Sequence, residues 1–269
     1  MSRALVSIAV VAGLMALGPA GRVDAQRGGG APAPPRAPRA AAPIDLTGNW
    51  VSLVTQDWRW RMVTPAKGDY QGVPLTPEAR KAADAWDPAK DEAAGEQCRS
   101  YGAPALMSVP GRLSITWQDD NTLKVETDAG LQTRLLHFGD YKAPPGTPRT
   151  WQGVSVAQWQ MPRANVPLLL RPVEPTSDAP PVRGTGGSLR VVTTNLRAGY
   201  LRKNGVPYGE NAVLTEFWDL HKRGNGEEWL TITTQVEDSQ NLHNARLVAP
   251  LFKKEPNSSK WEPTPCSAR

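Results

Sequence analysis

The sequence predicts a mainly β domain, an antiparallel curled sheet or closed barrel with one short helix. Three observations predict it. From Arg112 onward, apolar residues alternate with polar ones in short runs, the period of a strand with one buried face. Asp, Asn and Gly clusters at 119–121, 128–130 and 224–226 punctuate those runs at hairpin spacing. Only one segment carries a clear helical start and stripe, the stretch from Thr76 to Trp86.

Taken in order, residues 1–25 read as a secretory signal peptide. Arg3 supplies the positive start, Ala4 to Leu17 are largely apolar, and Val23-Asp24-Ala25 offers a small-x-small cleavage site. The apolar run is too short for a stable membrane anchor. The expected location is therefore periplasmic or secreted. Residues 26–43 are almost all Gly, Ala, Pro and Arg, a composition that buries no core and reads as a disordered linker. Residues 44–269 are then a single β-rich domain.

Gly48-Asn49-Trp50-Val51 opens a strand. Trp58 and Trp60 alternate with Arg59 and Arg61, so a strand here places indoles on one face and guanidiniums on the other. Thr76-Pro77-Glu78 starts the helix, with Thr as N-cap and Pro in the first turn. Asp87-Pro88 ends it. Leu113, Ile115 and Trp117, then Leu123 and Val125, then Leu131 to Phe138 form a three-strand meander. Trp151–Trp159, Ser188–Leu196, Ala212–Leu220, Trp229–Glu237 and Leu247–Lys254 supply the remaining strands, the third and fourth of these joined by Gly224-Asn225-Gly226. Pro162 to Gly187 is rich in Pro and Gly without period and reads as an inserted loop.

The net charge is +5, and removing Arg3, Arg22 and Asp24 with the signal peptide leaves +4. Much of the excess lies in the linker at Arg27, Arg36 and Arg39, where weak contact with an anionic membrane surface is conceivable and a solvated tail is the simpler expectation. There is no basic stripe with interleaved aromatics, so nucleic acid is not an expected partner. Cys98 and Cys266 are expected to be bridged in an oxidising compartment. Two Cys and three His without ligand spacing argue against a zinc site, and no cofactor fingerprint is present.

Several motifs recur together. Cys98-Arg-Ser-Tyr-Gly102-Ala-Pro104-Ala-Leu-Met107 fits C-x3-G-x-P-x2-M, and Trp151-Gln-Gly153-Val-Ser155-Val is similar to W-x-G-H-S-V. Gly187 to Asn195, then Glu210 with Glu216-Phe217, then Val236-Glu-Asp238 resemble the V-V-x-T-T, E-x5-E-F and V-x-D elements that follow. In this order they resemble a large group of secreted bacterial proteins for which no activity is established. Val154 stands where that group usually has His, and the insertion at 162–187 separates segments that are normally adjacent. Gly48-Asn49-Trp50 is also similar to the G-x-W of lipocalin-like barrels. The resemblances imply a secreted, lipocalin-like architecture and no particular chemistry.

The function expected from the residues is binding of a small apolar or aromatic ligand. Trp58, Trp60, Trp117 and Trp151 are candidate walls, and Arg59, Arg134 and Tyr208 candidate polar contacts. The alternative is a cofactor-independent lyase, isomerase or hydrolase in which His137 or Glu216 moves a proton. It requires both side chains to converge on one pocket. For Glu216 the simpler expectation is an ion pair to an arginine such as Arg134 or Arg190, since an unpaired buried charge is very costly. A third reading is an envelope protein whose sheet face binds another protein.

Overall fold

The computed structural model describes residues 36–161 and 186–269. The signal-peptide reading, the first part of the linker and nearly all of the inserted loop lie outside the described residues. Twelve strands occur among the described residues: β1 (Gly48–Leu53), β2 (Arg112–Asp119), β3 (Thr122–Thr127), β4 (Thr133–Phe138), β5 (Val154–Gln160), β6 (Ser188–Thr194), β7 (Gly199–Arg202), β8 (Val206–Tyr208), β9 (Val213–Lys222), β10 (Glu228–Glu237), β11 (Arg246–Val248) and β12 (Leu251–Glu255).

The order β12-β1-β2-β3-β4-β5-β6-β9-β10, with β10 returning to β12, closes a nine-strand barrel. The meander β2-β3-β4 and the β9–β10 hairpin stand where the alternation predicts them. β10 is long enough to pair with β9 along its whole length while its other edge takes β12 at Trp229–Thr231 and β11 at Thr234–Val236. The single closing strand expected at 247–254 is thus two. Pro250, which has no N–H for a ladder, separates them, and its carbonyl still accepts from the Ile232 N–H at 2.9 Å. All barrel pairs are antiparallel except β4–β5. Nine strands and one parallel pair set this barrel apart from an eight-stranded up-and-down barrel.

Alternation aims Trp50, Leu113, Ile115, Leu123, Val125, Leu136, Leu189, Trp218, Ile232 and Phe252 into one interior core. Trp117, Phe138 and Trp159 cluster at the end where β2 and β4 finish, with ring centroids 5.2 to 6.5 Å apart. Residues 36–43, expected to be linker, in fact form a turn against this end. The Pro38 carbonyl accepts from the Trp159 indole at 2.9 Å, and the Arg39 N–H donates to Asp120 O at 3.1 Å.

The opposite end is covered by the chain between β1 and β2 and by the β7–β8 hairpin. That chain holds α1 (Trp58–Arg61), α2 (Pro77–Asp84), α3 (Pro88–Ala93), a 3-10 turn at Gln97–Tyr101 and α4 (Ala103–Leu106). The expected helix is α2, capped by the Thr76 hydroxyl accepting from the Ala79 N–H. Asp87-Pro88 ends it and starts α3 by the same device, Asp87 accepting from the Ala89 N–H. A second core of Tyr70, Leu75, Ala83, Leu201, Tyr208 and Leu214 lies beneath this cover. Cys98 and Cys266 are bridged, with Cα atoms 5.1 Å apart, so the C-terminal tail is tied across the same end.

Candidate functional site

A cleft of about 320 Å³ opens in this cover. Its walls come from five places in the chain: Trp60 and Arg61 of α1, Tyr101 and Ala105, Val109 before β2, the β7 residues Leu201 and Arg202, and Arg246 at the start of β11, with Thr264 of the tail alongside.

Each wall is fixed locally. Trp58-Arg-Trp-Arg is a helical turn rather than the expected strand. The Trp60 and Arg61 N–H groups donate to Asp57 O, and that of Met62 to Trp58 O. The reason is topological: β1 already pairs with β2 on one side and β12 on the other, so no strand edge is left for residues 58–61 to join. Arg61 Nε donates to Ser108 O at 2.8 Å, and Arg202 Nη1 to Gln71 O at 2.8 Å. The Arg202 guanidinium lies over the Trp60 ring, 4.7 Å from its centre, a cation–π contact. Tyr101 packs directly on Gly130, whose φ of +80° and lack of a side chain admit the ring; a Cβ there would stand 2.2 Å from it. Gly205, also at φ +80°, lets the hairpin turn close over Trp86. The neighbouring Asn204, fully buried, donates to Ala66 O and Asp69 O, anchoring the hairpin to the loop after α1.

The charge of the cleft is mainly positive: Arg61, Arg202 and Arg246 share its wall with a single carboxylate, Asp57. Arg246 is 4% exposed, and among the described residues its Nε and Nη1 have no hydrogen-bond partner. The same holds for Arg61 Nη2 and Trp60 Nε1. Burial, reinforced by the nearby Arg202 charge, pulls the Arg246 pKa down to about 10. Burial also lowers Arg61 and Arg202, opposed in each case by Asp57. Among the described residues no carboxylate lies within ion-pair distance of Arg61, Arg202 or Arg246.

Comparison with protein-family models, with curated proteins and with solved structures finds no match. The site is therefore read from its own geometry.

Of the candidate ligand contacts named from the sequence, Trp60 lines this cleft, together with Arg61 and the Leu201–Lys203 part of the basic loop; the other candidates lie elsewhere. Trp58 is 65% exposed. Arg59 points to Asp69 at 2.9 Å. Trp117 lies at the far end of the barrel, and Trp151 lies under Arg197 with its indole donating to Ala198 O at 3.2 Å. Tyr208 is buried in the second core, its hydroxyl without a partner and held against Gly102 and Gly199; burial raises its pKa.

Arg134 and Glu216 meet inside the barrel. Nη1 donates to Oε1 at 3.0 Å and Nη2 to Oε2 at 2.6 Å, with both side chains essentially inaccessible. Nη2 also reaches the Ser155 and Thr193 hydroxyls, which bond each other at 2.8 Å. Four strands, β4, β5, β6 and β9, thus contribute one polar residue each to a belt in the interior.

His137 is on the other face of β4. It alternates with the inward Leu136 and Phe138 and stacks on Tyr141 at 3.8 Å. The His137–Glu216 proton-transfer pair is therefore not assembled: one side chain is outside the barrel wall and the other is ion-paired within it. His221 and His243 are exposed. Among the described residues no group of three or more His, Cys, Asp or Glu side chains is placed to hold a metal ion.

Two of the arginines carry a signal in the sequence: Arg61 alternates with Arg59 beside the Trp58/Trp60 pair, where guanidiniums add weight to binding, and Arg202 lies in the basic loop Leu201–Tyr208, which at a barrel mouth can grip an anionic or phenolic ligand, although such side chains more often stay in water. Tyr101 and Arg246 carry no such signal; Arg246 sits in an irregular stretch.

Proposed function

We propose that the protein binds a small molecule with an apolar or aromatic body in the cleft that covers one end of its barrel, and that it does so outside the cytoplasm. The observation that carries the reading is the cleft itself, about 320 Å³ and walled by Trp60, Tyr101, Val109 and Leu201. That volume is at the small end of ligand pockets, which suits a compound of one or two rings. The walls belong to short helices and a hairpin tied down by hydrogen bonds and by the Cys98–Cys266 bridge, so the site is formed before a ligand arrives. The barrel interior, by contrast, is filled by core side chains and the Arg134–Glu216 belt. The signal-peptide composition of residues 1–25 and the disulfide both favour an oxidising compartment.

The test is a calorimetric screen of the mature, oxidised protein against small aromatic acids, amides and alcohols, repeated with Trp60→Ala. Saturable one-to-one binding that Trp60→Ala weakens at least about tenfold, while the circular dichroism spectrum is unchanged, is the expected result, since a buried aromatic anchor dominates such sites. Binding that ignores Trp60→Ala, or no binding by any member, contradicts the reading.

A further inference from the structure

The cleft holds more hydrogen-bond donors than the protein supplies acceptors for. Buried donors almost always have partners, and an unpaired buried guanidinium is among the most costly groups to leave so. Four of the partnerless buried atoms belong to three residues that line this one cleft: Trp60 Nε1, Arg61 Nη2, and Arg246 Nε and Nη1. All four are donors. Arg202 adds a third guanidinium, over the Trp60 ring at 4.7 Å from its centre. The one carboxylate in the wall, Asp57, forms no ion pair with any of them. Single partnerless donors occur elsewhere, Arg99 Nε, Arg134 Nε and Trp218 Nε1 among them, but Arg134 and Arg99 each have a carboxylate in ion-pair contact, Glu216 at 2.6 Å and Asp91 at 3.1 Å. What sets the cleft apart is three guanidiniums gathered in one wall, none of them in such a contact among the described residues.

From this excess of positive donors beside an aromatic wall we infer that the ligand is a carboxylate, its anionic group held by Arg61, Arg202 and Arg246 and its apolar body against Trp60 and Tyr101. The inference rests on the cleft being the small-molecule site. A planar carboxylate offers two acceptor oxygens that match the guanidinium fork, and it adds negative charge to a wall in which three guanidiniums face one carboxylate, Asp57. It also explains why a buried arginine is kept with no partner among the described residues: the partner arrives with the ligand.

The experiment pairs acids with their uncharged isosteres. Indole-3-acetate and indole-3-acetamide, and benzoate and benzamide, are titrated into the mature oxidised protein, into Arg246→Met and into Arg61→Met. The second variant keeps the test usable should the first fail to fold. At least one acid is expected to bind about tenfold or more tighter than its amide, the worth of a hydrogen bond to a charged group. Arg246→Met and Arg61→Met should remove that preference, weakening the acid by about tenfold more than they weaken its amide. Equal binding of acid and amide, or an acid preference that survives both substitutions, overturns the carboxylate inference and leaves the cleft as a site for neutral molecules. No binding by any of the four compounds overturns both the inference and the site.

Discussion

Removing the carboxylate of Glu216 is the sharpest test of how the barrel interior is held. Glu216→Leu leaves the Arg134 guanidinium 1% exposed with only the Ser155 and Thr193 hydroxyls to bond. Breaking one side of a buried pair costs about 3–5 kcal/mol, because a charge remains with no counter-charge. For a domain of this size that corresponds to a fall in Tm of roughly 6–20 °C. Replacing both partners is different. Arg134→Met with Glu216→Leu removes the two desolvation penalties together, so the double variant should lie within about 2 kcal/mol of the original protein, on either side. The coupling between the positions is then at least about 2 kcal/mol. Urea unfolding of the four proteins, with an unchanged m value as the check that the transition itself is the same, measures all three quantities. A loss below about 1 kcal/mol for Glu216→Leu, or a double variant no more stable than the weaker single one, would refute the reasoning.

Three further outcomes follow from the same structure. Cys98→Ser with Cys266→Ser opens a loop of 168 residues and should cost up to about 5 kcal/mol on the chain-entropy model; urea unfolding beside the oxidised protein measures it, and a loss under about 1 kcal/mol contradicts it. Arg246→Met should stabilise the ligand-free protein by up to about 3 kcal/mol, because a guanidinium held near 10 against its ordinary 12.5 is a buried charge the fold carries at that cost; a lower urea midpoint than the original would show that Arg246 is satisfied after all. Glu227, held down to about 2 by its bonds from Lys253, Trp229 and Asn225, has a folded pKa below its unfolded one. Its contribution to stability is present above about pH 4.5 and lost as the pH falls toward 2. A carboxyl NMR titration should place its midpoint well below the other surface glutamates, and Lys253→Met should raise it; an unmoved midpoint goes against the assignment.

The barrel was legible because its strands are half-buried, and half-burial writes itself as alternation. Leu113, Ile115 and Trp117 face inward as their spacing requires, and Arg134 shares the inward face of β4 with Leu136 and Phe138. The ion pair of Glu216 was legible for the same reason: a carboxylate among Leu214, Phe217 and Trp218 needs a cation. What alternation cannot convey is which face is inside when both carry apolar residues. Leu135 made the His137 face look plausible as a cavity lining, and it is the outer one. Nor can it distinguish four alternating residues from a helical turn, as Trp58 to Arg61 show; that depends on whether a strand edge is free, a property of the closed sheet. The cleft as an assembly was invisible because it is built from α1, the 3-10 turn, β7, β11 and the tail, with Trp60 and Arg246 separated by 186 positions. A surface arginine and a buried one look alike in sequence.

The measurement that bears most directly on the cleft as the binding site is the set of tryptophan indole N–H resonances, followed while a bound aromatic acid is titrated in. The tryptophans are spread over the whole fold: Trp60 lines the cleft, Trp50 and Trp218 are in the barrel core, and Trp117 and Trp159 are at the opposite end. The Trp60 signal should move, with saturation at one equivalent, while those of Trp117, Trp159 and Trp218 stay in place. Movement of Trp117 and Trp159 with Trp60 unchanged would put the ligand at the other end of the barrel and contradict the site described above.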